Sequence, residues 1–150
     1  MRSVSDRISI QGSVDIIIFD KQRIYYDVHQ KNLVTQLGKQ FFGSKIASNG
    51  LSSVFVSAIG FGDGTTQPNL NNTELENETF LLTSLLTTSD SNKAIFTGLV
   101  SDQQDLVDVT ELGLFTNEDP KRLVCRILLN NPFNKPLGQF LSITWNIQVA

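Results

Sequence analysis

The residues best suited to chemistry are few and stand apart. His29 is the only histidine and Cys125 the only cysteine in 150 residues. A zinc site needs three or four nitrogen and sulfur ligands, so one of each cannot supply it. As a general base His29 would need a nucleophile and an orienting partner. It stands where a strand gives way to a helix, and a structural or solvated role is preferred. Cys125 lies inside Leu123-Val124-Cys125-Arg126-Ile127. It reads as a small buried hydrophobe, and alone it cannot form an internal disulfide. Asp63, Glu74, Glu76 and Glu78 could offer carboxylates to calcium, but the EF-hand spacing is absent. No residue is assigned as catalytic, cofactor-binding or metal-ligating, and no cofactor is implied.

Two further features invite a chemical reading. Gly60-Phe61-Gly62-Asp63-Gly64 looks like a phosphate loop. Such loops work because a helix N-terminus follows and presents free amides. Pro68 and an Asn-rich stretch follow instead, so the glycines are expected to supply positive φ in a tight turn. Glu111 sits in the largely apolar segment 109–115. A half-buried carboxylate wants a cation, and Arg126 or Arg122 on the next strand is the expected partner.

The elements that must position these residues are mostly strands. Segments 14–19 and 23–28 are β-branched and aromatic around a turn at 20–22, which predicts a hairpin. Apolar residues at Leu33, Leu37 and Phe41 predict one amphipathic helix over 32–47, capped by Asn32 and stopped by Asn49-Gly50. Gly38 weakens it. Strands are expected at 54–61, 80–86, 94–100, 107–115 and 123–129, with an exposed polar loop over 69–78. Leu141, Ile143, Trp145, Ile147 and Val149 alternate with polar residues, the pattern of a strand with one wet face. Trp145 should therefore lie in the core with its indole N–H bonded to an acceptor. The fold class is mainly β, an antiparallel β-sandwich or jelly-roll-like barrel carrying that one helix. Residues 1–150 form a single domain, with 1–11 a candidate N-terminal arm.

Charge narrows the partners. Twelve Lys and Arg against fifteen Asp and Glu give a net charge of −3, and no basic cluster is available for phosphates. No apolar run approaches the roughly 20 residues that span a membrane, and the polar start lacks a signal-peptide core. Asn71-Asn72-Thr73 and Asn77-Glu78-Thr79 match glycosylation acceptors, for which a secretory context is missing. Neither nucleic acid nor membrane is an expected partner.

Five segments, in order, resemble small structural proteins of tailed bacteriophages. Gln30-Lys31-Asn32-Leu33-Val34 opens the resemblance. Gly60-Phe61-Gly62-Asp63-Gly64-Thr65-Thr66-Gln67-Pro68 is similar to a "GDGTTAP" turn, and Thr73-Glu74-Leu75-Glu76-Asn77-Glu78 to "TALGNE". Val109-Thr110-Glu111-Leu112-Gly113-Leu114-Phe115 resembles "ITEAGLF". Asn134-Lys135-Pro136 with residues 141–147 resembles a closing "VNK…LTITWTI". Phe61 and Leu112 depart from the smaller residues common there. The resemblance covers roughly residues 14 to 150. It implies a non-enzymatic virion protein, assembled in the host cytoplasm, whose partners are copies of itself and other virion subunits. A tail, neck, baseplate or fibre-attachment component is the leading expectation. Capsid cement, or a carbohydrate-binding module on the virion, is the alternative.

Overall fold

In a strand, successive side chains point to opposite faces, and the closing segment obeys this strictly. The computed structural model describes residues 9–47 and 53–149. Leu141, Ile143, Trp145 and Ile147 are all buried, while Ser142, Thr144 and Asn146 between them are half exposed.

The chain runs β1 (Ile10–Phe19), β2 (Ile24–Val34), α1 (Gln36–Ala47), β3 (Val56–Gly62), β4 (Glu78–Leu82), β5 (Leu85–Asp90), β6 (Lys93–Val100), β7 (Leu106–Thr116), β8 (Leu123–Lys135) and β9 (Phe140–Val149). One nine-stranded sheet forms in the order β4-β3-β7-β8-β2-β1-β9-β6-β5. All its pairings are antiparallel. It curls into two layers. β2 turns the corner, pairing along its length with β1 but with β8 only at Leu33 and Val34. The core between the layers joins Ile16, Phe96, Ile143 and Trp145 to Phe61, Leu112, Leu114 and Ile127. This is the mainly β, sandwich- or barrel-like fold expected, with one short helix. No helix among the described residues is long and apolar enough to cross a membrane.

Several boundaries differ from the sequence reading. The helix begins at Gln36, not Asn32. Asn32, Leu33 and Val34 stay extended because the last two pair with Arg126 and Cys125. Thr35 is the cap: its Oγ1 accepts the Gly38 amide at 3.0 Å. That hydroxyl also donates to the Leu123 carbonyl at 2.6 Å, tying the helix start to β8. Gly38 itself is a close-approach residue, since a Cβ there would run into the Val124 backbone. The predicted 80–86 strand is two, β4 and β5, at opposite edges of the sheet. Residues 83–84 carry the chain from one layer to the other. Ile10 and Gln11 of the candidate arm belong to β1, paired with Val149 and Gln148. The rest of the arm through residue 8, and the Asn49-Gly50 stop, lie outside the described residues.

Trp145 meets the expectation for it. The ring is wholly buried, and Nε1 donates to Asn32 Oδ1 at 2.9 Å. Asn32 thus links β2 to β9 through the core. Cys125 is buried beside it, and burial pushes its thiol up to about 12, opposed only by the Asn32 side chain.

Two outcomes follow. Trp145→Ala should cost about 3–5 kcal/mol in denaturant unfolding, and the native emission of this lone tryptophan should be blue-shifted and resistant to iodide. The Cys125 thiol, protonated and enclosed, should react with a disulfide reagent at pH 8 only after unfolding.

Candidate functional site

Because Leu112 and Leu114 fill the core, their neighbours Glu111 and Gly113 must point to the outer face of β7. The charged group is nevertheless closed off from water. Arg126 pairs with Gly113 across β7 and β8. The missing side chain at Gly113 leaves the guanidinium a path to the carboxylate. Arg126 Nε and NH2 donate to Glu111 Oε1 at 3.2 and 3.1 Å. The amide of Glu76 donates to the same oxygen at 2.9 Å, and those of Gly64 and Asn77 to Oε2 at 2.8 Å each. A buried ion pair persists when its remaining lone pairs are met by such donors. The expected partner of Glu111 is thus Arg126. Arg122 pairs with Glu118 instead, at 2.9 Å.

The clamp corrects one expectation and refines another. The glycines of the 60–64 segment do not have positive φ; among described glycines only Gly138 does, at 89°. They are required for proximity. A Cβ on Gly62 would stand 2.8 Å from Glu111 Oε2, and one on Gly64 the same distance from the Glu111 carboxyl carbon. The polar stretch 69–78 is exposed over most of its length, as expected, but it is pinned to the sheet. Leu75 is buried with Ala58, Phe115 and Leu123 on the outer face of the sheet, and Asn72 Oδ1 accepts from Arg126 at 3.3 Å. The sequence held one signal for this: Leu70 and Leu75 are the only apolar residues in an otherwise polar run. The backbone donors carried no signal.

The four carboxylates considered for calcium are dispersed. Asp63 accepts from the Asn77 side chain, Glu76 from Thr66, and Glu78 lies 3.3 Å from Lys121. Glu76 is held below its usual carboxylate range by those Thr66 bonds. Among the described residues no group of three or more His, Cys, Asp or Glu is placed to hold a metal.

His29 lies on the outer face of the other layer. Its Nδ1 is 2.6 Å from Asp15 Oδ1, and Asn146 donates to the second Asp15 oxygen at 3.2 Å. The pair borders a groove of about 720 Å³ that runs over the ends of β1, β2 and β9. Its lining is mixed, Ile10, Leu33, Val34 and Leu70 beside Gln11, Ser13, Asn146 and Gln148, with Lys31, Lys39 and Lys93 along it.

At the opposite end stands Lys135, which the sequence showed only as part of the closing motif. Its Nζ is buried and donates to the carbonyls of Pro136 and Gln139 at 3.1 and 2.6 Å. Burial lowers its pKa, against the opposing attraction of Asp102 and Asp105. It fastens the 136–139 turn, whose Gly138 amide reaches the Asp102 carbonyl at 2.8 Å.

Comparison with protein-family models, curated proteins and solved structures finds no match to this chain.

Removing either end of the clamp strands a buried charge. Glu111→Ala and Arg126→Ala should each cost about 3–5 kcal/mol by urea unfolding. The double variant should cost less than their sum, because the two effects are one interaction.

Proposed function

We propose that this chain is a non-enzymatic structural subunit of a tailed-phage particle, an adaptor or fibre-attachment component of the tail, neck or baseplate. The observation that carries the reading is the convergence of three motifs. Segments 60–68, 73–78 and 109–115, which carry the phage resemblance, meet at the Glu111 clamp. The acidic and glycine-rich residues that could have signalled an enzyme there are committed to holding the chain together. Capsid cement remains the alternative location. A sugar-binding role draws no support from Trp145, the ring best suited to a platform, because it is enclosed in the core.

An antibody against the chain should label the tail or its junction with the head in purified particles, by immunogold electron microscopy. Label spread over the whole capsid would indicate cement. Its absence from purified particles would remove the virion reading.

A further inference from the structure

We propose that two copies of this chain pair through the free edge of β5, antiparallel about a two-fold axis at Thr87, so that the sheet runs on from one copy into the other. The pairing goes beyond the structural-subunit reading and does not depend on it.

β5 is the last strand of the sheet, with β6 on one side and no strand on the other. Its register with β6 is regular from Leu85 to Asp90. The two strands join through Ser91 and Asn92 alone, with Ser91 at φ 58°. In a two-residue hairpin of this kind the closing residues, here Asp90 and Lys93, exchange both backbone bonds, and such pairs alternate along the ladder. Asp90, Thr88 and Leu86 therefore turn their amides and carbonyls to β6. Leu85, Thr87 and Ser89 turn theirs to the open side, where no group among the described residues bonds them.

Sheet edges are commonly guarded against pairing by lysines, prolines, bulges or a covering segment. The other edge, β4, has such guards: its register with β3 breaks at Gly62, and Glu78 at its start is paired with Lys121. β5 has none of them. From Leu85 to Ser89 it is uncharged and free of proline, so a partner recognised by charge has nothing to read there. A second β5 supplies the missing complement by symmetry. A two-fold axis at Thr87 sets Thr87 against its own copy, and Leu85 against Ser89 in both directions. Every outward residue is then paired, and three pairs at two bonds each give about six backbone hydrogen bonds. Leu86, 67% exposed, comes against Thr88 on the adjoining face, a favourable cross-strand contact. Asp90 is the only charge on the strand, and it faces Lys93 across its own hairpin. The two copies of Asp90 lie at opposite ends of the pair, about 20 Å apart at ~3.3 Å per residue. That exceeds the ~8 Å screening length at physiological salt, so their repulsion does not oppose the pairing. A contact in which both copies use the same surface closes at two.

The test combines sedimentation equilibrium of the full chain with a cross-link specific to this register. Wild type should pass from one-chain to two-chain mass between micromolar and millimolar concentration, because one strand edge is small beside a standard interface. Sodium chloride should leave that mass unchanged, since backbone bonds and not charges hold the pair. Thr87→Pro removes an amide that faces away from β6, which an edge strand tolerates. Thr87→Lys sets two ammonium groups together at the axis. Both should stay single at every concentration, with Trp145 emission showing that they are folded. Opposed Thr87 residues should have Cα atoms about 5.5 Å apart, within disulfide reach. Thr87→Cys should therefore become a covalent dimer on mild oxidation. Ser89→Cys should not, because its two thiols would stand about 13 Å apart. Cys125, enclosed in the core, takes no part. Wild type that stays single overturns the proposal, as does a dimer that dissolves in salt or survives Thr87→Lys. Equal linking at the two positions overturns it too. None of these results removes the chain from a particle, which immunogold labelling decides separately.

Discussion

A carboxylate sealed from water needs a counter-charge and a donor for its free lone pairs, and the way Glu111 obtains them organises one whole side of this molecule. Two donors come from Arg126 and three are backbone amides of the 63–77 stretch and its edge. A segment too polar to collapse by itself is thereby pinned to the sheet. Once pinned, it lets Leu75 reach the apolar pocket beside Gly60 and Gly113, where no side chain is in the way. Charge, backbone amides and a single leucine act together. Losing one loosens the others, because the desolvated groups have no water to turn to.

The opposite side is held differently. Between the two layers, apolar strand faces interlock, and within one layer Asn32 of β2 accepts from Trp145 of β9 across β1. This bond, with the pairing of Leu33 and Val34 to β8, keeps β2 extended past the point where a helix was expected. An asparagine that must reach a tryptophan in the core is kept extended, and the capping role passes to Thr35 three residues later. The helix then lies so close to β8 that only glycine fits at position 38.

The rest of the surface carries both signs at each end of the strands. Lys31, Lys39 and Lys93 stand with Asp15 and Asp90 at one end, and Asp20, Asp102, Asp105 and Asp108 with Lys21 and Arg23 at the other. Local charge arrangement sets the orientation and specificity of association more than total charge does.

Alternation along the last strand was legible from residues 141–149, as were the turn at 117–120, the buried cysteine and the need of Glu111 for a cation. Each is a short-range property: a period of two, a proline, a charge in an apolar run. What tertiary structure decided was pairing. The expected strand at 80–86 became two edge strands because its halves join different layers. The 32–34 stretch became strand because β8 lay beside it. The glycines at 62 and 64 read as turn formers, yet they are there because a carboxylate from β7 occupies the space a Cβ would need. Local pattern determines which face of an element is apolar. Which other element covers that face depends on residues dozens of positions away, and no local pattern contains them.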